Sequence, residues 1–249
     1  MVGKVYIVGA GPGRKDLLTL RAYELIKKAD VILHDELIGE VADLLKESKA
    51  EVINVGKRSG RHRKSQEEIN EMLVEFAWKG KIVVRLKGGD PCVFGRGGEE
   101  AEYLAKHGIP FEFVPGISSA IAVPEAVGIP VTHRRYDPAL VFITGRESRE
   151  RLNWKALAEL NATIVVLMGV GKIPDMSEKL IENGKDSETP VAVIEKGFSD
   201  EQRVLITKLG ELAETAEREN IEAPAVIVIG GVVELYSILS EFCRDDEEL

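Results

Sequence analysis

The residues with the most chemistry to offer lie in one stretch, Arg85-Leu-Lys-Gly-Gly-Asp-Pro-Cys-Val-Phe-Gly-Arg-Gly-Gly-Glu-Glu100. Five glycines in sixteen residues exclude a helix or strand interior, where glycine loses too much backbone entropy. They suit a loop that a ligand approaches closely. Asp90 stands before Pro91, which pushes its backbone toward extended geometry. Arg96 and Glu99 fall near the start of the helix expected from Glu99 to His107, and Glu100 is expected on its outer side. A strand end, a glycine loop, a held carboxylate and a charged pair describe a site at the carboxyl edge of a sheet. The alternative is a long glycine turn with solvated charges.

A second glycine cluster, Gly9-Ala-Gly-Pro-Gly13, invites a dinucleotide reading. That fingerprint needs a third glycine at position 14, where this chain has Arg14. Pro12 also removes an N–H that would have to hold a pyrophosphate. Asp35, at the end of the second expected strand, could mimic the ribose-binding acid, but a nicotinamide site is disfavoured. Lys57, Arg58, Arg61, Arg63 and Lys64 form a basic loop, and His133, Arg134 and Arg135 a second basic cluster. One such loop is ordinarily a solvated charge run. Two beside glycine-rich strand ends favour a poly-carboxylate or phosphate ligand, which arginine grips in bidentate fashion. His34, His62, His107 and His133 lack metal-ligand spacing, and no metal is expected. No Gly-x-Ser-x-Gly elbow supports a serine hydrolase. Met168 reads as core, and Gly197 and Ala225 as ordinary turn and core residues.

The elements that must position these groups alternate strand and helix. Lys4–Val8, Val31–Leu33, Val52–Val55, Lys81–Leu86 and Phe111–Val114 read as strands, and Ser65 with Glu68 as a capping box. Tyr136-Asp-Pro138 is the candidate hinge. Beyond it a second set begins, with strands near 140–144, 163–168, 191–194 and 225–229 and a more exposed one at 203–207 forming a hairpin. The expectation is two α/β domains, 1–136 and 137–249, with mostly parallel sheets. The net charge of -9 argues against general nucleic-acid binding. No apolar run reaches a membrane span, and no secretory signal is evident. With only Cys92 and Cys243, a reduced, cytoplasmic setting fits.

The combination Val8-Gly-Ala-Gly-Pro-Gly13, Val55-Gly-Lys-Arg58, Val84-Arg-Leu-Lys-Gly-Gly-Asp-Pro91, Phe94-Gly-Arg-Gly-Gly-Glu-Glu100, Val114-Pro-Gly-Ile-Ser-Ser119 and Gly128-Ile-Pro-Val-Thr-His-Arg134 resembles the uroporphyrinogen-III C-methyltransferases of the tetrapyrrole methylase superfamily. The resemblance runs from Gly3 to about Leu235. Cys92 stands where many members have an aromatic or aliphatic residue. No dehydrogenase–chelatase domain of the bifunctional sirohaem synthases is expected. The resemblance implies a homodimer of two-domain α/β subunits with the active site in the inter-domain cleft. It implies transfer of methyl groups from S-adenosyl-methionine to C2 and C7 of uroporphyrinogen III, giving precorrin-2 for sirohaem or cobalamin, with S-adenosyl-homocysteine as co-product. Carried over by position, Pro12, Gly88, Gly89, Asp90, Val93, Ser118, Ser119, Met168, Gly197 and Ala225 would line the methyl donor. Asp35, Lys57, Arg96 and Glu99 would be catalytic, and Arg134 would bind substrate together with Arg96. A guanidinium is a poor base, so Arg96 is expected to position carboxylates, Asp35 to serve as acid or base and Lys57 as proton donor. The rival readings are a later precorrin methylase, a diphthine synthase and a nicotinamide oxidoreductase.

Overall fold

A computed structural model of the protein describes residues 1–56, 64–146 and 151–243. Lys57 and most of the first basic loop lie outside the described residues. The chain forms two compact units, Met1–Ser119 and Ala120–Leu249. The division falls before the hinge suggested at Tyr136. Ala120, Val123, Val127, Ile129 and Val131 share a core with Val165, Ile194 and Val226, so their apolar surface leaves water inside the second unit.

The first unit holds β1 (Lys4–Gly9), β2 (Val31–His34), β3 (Glu51–Asn54), β4 (Ile82–Lys87) and β5 (Phe111–Val114) in the order β3-β2-β4-β1-β5. Every pairing is parallel. The connecting helices are α1 (Leu20–Lys28), α2 (Val41–Lys46), α3 (Gln66–Trp78) and α4 (Gly97–Lys106). Successive strand residues face opposite sides. Val5, Ile7 and Val83 pack with Leu73 of α3 and Leu104 of α4, whereas Val8, Val84 and Leu86 pack with Leu25 of α1 and Val41 of α2. A parallel sheet needs this cover on both faces. Thr19 caps α1 by accepting from Ala22 N, and Ser65 with Glu68 closes the expected capping box on α3.

In the second unit α5 (Ser119–Ala126) starts at the division. It is followed by β6 (Ala139–Thr144), α6 (Trp154–Glu159), β7 (Ala162–Leu167), α7 (Ile173–Glu182), β8 (Pro190–Glu195), β9 (Arg203–Lys208), α8 (Leu212–Arg218), β10 (Ala225–Ile229) and α9 (Tyr236–Leu239). The sheet order is β6-β7-β10-β8-β9. Here β6–β7 is parallel, and β7–β10, β10–β8 and β8–β9 are antiparallel. The expected hairpin is β8–β9, whose short link cannot carry a parallel crossover. Across both sheets the pairings are predominantly parallel.

Candidate active site

Strands β4, β1 and β5 are neighbours, so the loops leaving their carboxyl ends meet. Gly89 N donates to Gly11 O at 2.8 Å, Gly11 N to Gly89 O at 3.2 Å, and Ala10 N to Lys87 O at 2.7 Å. A Cβ on Gly9 would stand 2.6 Å from Gly116 Cα, and one on Gly116 would stand 2.3 Å from Gly89 O. These glycines therefore let three backbones touch, a contact closer than any side chain permits. Asp90 ties the same loops together: Oδ1 accepts from Cys92 N at 2.8 Å and Oδ2 from Gly116 N at 3.2 Å. The resulting edge presents backbone and one carboxylate. It fits a flat ligand bearing positive charge better than a pyrophosphate, whose charge Asp90 would repel.

One strand further along, a charged cluster sits beneath the edge. Arg85 Nη2 donates to Asp35 Oδ1 at 2.5 Å and Arg85 Nε to Glu100 Oε1 at 3.0 Å. Lys87 Nζ donates to Glu100 Oε1 at 2.9 Å and lies 3.8 Å from Asp35 Oδ2. Arg85, Lys87 and Glu100 are buried, whereas the Asp35 side chain is 35% exposed. Burial works against the Arg85 charge, but Glu100 and Asp35 outweigh it and raise its pKa. For Lys87, burial and the Arg85 charge prevail over both carboxylates and lower it. The difference follows from contacts, since Arg85 hydrogen-bonds both carboxylates and Lys87 only one.

Arg96 initiates α4 with φ 61° and is exposed. Its Nη2 donates to Glu99 Oε2 at 2.6 Å. That hydrogen bond raises the guanidinium pKa and lowers that of Glu99, against the desolvation of each. Arg96 is therefore held in its cationic form. Arg134 is exposed in the turn that also holds His133, whose Nδ1 accepts from Arg135 N at 3.2 Å.

A model of the family described as Tetrapyrrole (Corrin/Porphyrin) Methylases matches residues 4–213. The chain belongs to this family. A curated S-adenosyl-L-methionine-dependent uroporphyrinogen III methyltransferase from Methanosarcina barkeri is 52% identical over 96% of this chain and 95% of its own length. The uroporphyrinogen-III C-methyltransferase of Methanocaldococcus jannaschii is likewise 52% identical, over 94% of this chain and 98% of that one. The crystal structure of the uroporphyrin-III C-methyl transferase of Thermus thermophilus complexed with S-adenyl homocysteine superposes with a TM-score of 0.81, at 39% identity, covering 94% of this chain and 100% of that one.

Within this tetrapyrrole methylase, the first unit brings together Pro12, Gly88, Gly89, Asp90, Val93, Ser118 and Ser119 on the loops that end β1, β4 and β5, with Asp35 at the end of β2. In the second unit, Met168 and Gly197 follow β7 and β8, while Ala225 opens β10. Two readings of the residues alone are corrected. Met168 is not core: it is 41% exposed at φ 55°, where the chain turns after β7. Glu100 is not on the outer side of α4 but fully buried, because Gly97, Glu100, Ala101 and Leu104 share its inner stripe. That i, i+3, i+4, i+7 spacing was the signal available for Glu100. Arg85, inside the expected strand Lys81–Leu86, and Lys87, in the loop after it, carry no comparable mark of burial.

Proposed function

We propose that this chain methylates uroporphyrinogen III at C2 and C7, using S-adenosyl-methionine and yielding precorrin-2 and S-adenosyl-homocysteine. The observation that carries the reading is the edge where three glycine loops touch around Asp90, with one accessible carboxylate, Asp35, beside it. The relatives' names and the family assignment support the same substrates.

The donor supplies a methyl group on a sulfonium centre. An electron-rich pyrrole carbon forms the new C–C bond as the methyl–sulfur bond breaks, so the macrocycle gains a positive charge and must lose a proton. In this reading the glycine edge of the first unit and positions Met168, Gly197 and Ala225 of the second bind the donor. Asp90 acts by fixing two loops, which lowers the cost of ordering them when the ligand arrives. Asp35 accepts the proton, a role that requires it to come within hydrogen-bond reach of the macrocycle. Arg96, braced by Glu99, and Arg134 hold acetate or propionate groups as charge-assisted pairs. Their task is alignment, on which the rate of an in-line transfer depends.

We also read the enzyme as a cytoplasmic homodimer, a point for sedimentation analysis. Among the described residues no helix is long and apolar enough to cross a membrane. The deciding experiment is mass spectrometry of uroporphyrinogen III incubated with the protein and S-adenosyl-methionine. A gain of two methyl groups is expected. Methylation only of later precorrins would move the assignment to another branch of the family. Calorimetry with S-adenosyl-homocysteine and with NAD checks the donor separately, and binding of NAD alone would overturn it.

A further inference from the structure

We propose that Glu100 and Lys87 are positioning residues of the methyl transfer, holding the Arg85 guanidinium from inside the first unit so that its outer edge fixes the Asp35 carboxylate. The inference rests on the reading of Asp35 given above.

Residues 83, 85 and 87 share one face of β4. That face begins apolar, with Val83 packed in the core of α3 and α4, and turns ionic toward the carboxyl edge with Arg85 and Lys87. On the opposite face Leu86, between them in sequence, is packed in an apolar core. The fold can therefore fill this depth with hydrocarbon. Well-packed apolar residues are often as stabilising as a buried ion cluster, because desolvating charges is costly. Core packing alone does not account for the cluster.

Its wiring has a direction. Glu100 Oε1 accepts three hydrogen bonds, from Arg85 Nε, Lys87 Nζ and, at 3.1 Å, Gln66 Nε2 of α3. Glu100 Oε2 is buried without a partner. Arg85 spends Nε on Glu100 and Nη1 on Leu86 O at 3.2 Å, which leaves Nη2 for Asp35. Each fork of the guanidinium is thus assigned, and its plane cannot turn without breaking a buried contact. Two cations face two carboxylates, and of the four groups only Asp35 has an appreciably exposed side chain. The backbone is pinned as well: Asp35 N donates to Leu86 O at 3.1 Å, and His34 Nδ1 lies 2.8 Å from Asp35 O. Removing the Glu100 charge leaves two buried cations competing for Asp35, and the 3.8 Å gap to Lys87 is the one with room to close. Removing Lys87 frees Glu100 to draw Arg85 inward.

The test pairs Glu100→Gln and Lys87→Met, alone and combined with Asp35→Asn. Glu100→Gln keeps shape and an acceptor, and Lys87→Met gives an independent pass should the first variant fold poorly. Each single change is expected to lower kcat about tenfold to a hundredfold, the scale of a lost charge-assisted contact. The affinity for S-adenosyl-homocysteine is expected to hold within about twofold, because the side chains changed bond within the cluster, and the one contact with the glycine edge is the Lys87 backbone carbonyl, which both variants keep. In the Asp35→Asn background the same changes are expected to cost less than about threefold more, since groups acting as a unit are non-additive. A crystal structure of Glu100→Gln is expected to show Asp35 displaced from Arg85 Nη2. Losses that multiply in the double variants, or a donor affinity that falls in step with kcat, would overturn the proposal. So would an unmoved Asp35. If the wild-type protein binds S-adenosyl-homocysteine yet methylates nothing, the reading of the reaction fails, while the crystal structure still decides whether Glu100 holds this arrangement.

Discussion

Among the described residues each unit buries one glutamate at a strand-edge network, and the two networks are wired differently. In the second unit Glu195, at the end of β8, accepts from Arg203 Nε and, at 2.5 Å, from Glu222 N. Arg203 Nη2 then donates to Glu219 O at 2.9 Å. Both Glu195 oxygens are engaged, one cation serves one carboxylate, and the network ends on the backbone of residues 219–222. It closes an antiparallel sheet edge. In the first unit Glu100 receives two buried cations on a single oxygen, and the network ends on the half-exposed carboxylate of Asp35. Buried charge is tolerated when it is paired and satisfied, and is costly once a partner is lost. The exposed group of the second network, Arg203, is itself committed to Glu195 and the Glu219 carbonyl, whereas that of the first is a carboxylate with one oxygen 3.8 Å from Lys87, able to accept from a reacting partner.

Breaking each network should expose the difference. Arg85→Met removes a fully buried cation bonded to both Glu100 and Asp35 and leaves Glu100 only Lys87 and Gln66, so a loss of about 3 kcal/mol in urea unfolding is expected. Arg203 has a side chain 42% exposed and leaves Glu195 its backbone donor. Arg203→Met is therefore expected to cost clearly less than Arg85→Met, because solvent screens the exposed guanidinium. Equal losses would erase the distinction between the networks.

The substrate-facing arginines should respond in activity instead. Arg96→Met and Arg134→Met are each expected to lower kcat/KM about tenfold to a hundredfold, with S-adenosyl-homocysteine binding intact. Loss of turnover with unchanged substrate affinity in Arg96→Met would move that residue from alignment to the chemical step. Backbone contact gives the next effect. In Gly116→Ala the new Cβ meets Gly89 O and Gly9 Cα, and a loss of roughly 1–3 kcal/mol with weaker donor binding is expected. Gly98, on α4, has nothing within 4 Å of the position a Cβ would take, so Gly98→Ala is expected to stabilise by about 0.5–1 kcal/mol. Thermal unfolding and calorimetry on both variants separate the loop edge from the helix.

Much of the first unit was legible because its signals are local. Ser65 and Glu68 announce the start of α3, and an apolar β4 followed by glycines marks a sheet edge. The combined motifs named the family, which the first glycine cluster alone could not. Glu99 and Glu100 look alike in sequence, and only the phase of α4 decides that Glu99 is exposed and Glu100 buried. The Arg85–Asp35 pair joins β4 to β2 across 50 positions, a separation that no periodicity reports. An apolar residue after an apolar strand ordinarily reads as core, and the positive φ of Met168 is invisible in composition. The early division at Ser119 reflects which core claims 120–136, a tertiary outcome.

The smallest effect concerns pH and has opposite windows in the two units. Burial alone would raise the Glu195 pKa, but Arg203 and the Glu222 N–H outweigh it and the folded-state value is depressed. The stability it contributes is present above the unfolded value of about 4.3 and is lost as pH falls through the lower folded value. Lys87 is also depressed, by burial and Arg85, so the slope has the same sign as for Glu195, but the window is alkaline and it is the charged form that the fold disfavours. Between its folded value and the unfolded value of about 10.4, the unfolded chain binds more protons, so stability rises with pH across that window. Urea midpoints should therefore show the advantage of wild type over Glu195→Gln shrinking from about pH 5 toward about pH 3. The difference between wild type and Lys87→Met should instead change only on the alkaline side, in favour of wild type as pH rises. A Lys87→Met difference that is flat through the alkaline range would mean that Lys87 enters the folded state with its ordinary affinity for protons. The network beneath Asp35 would then be as fully compensated as the one at Glu195.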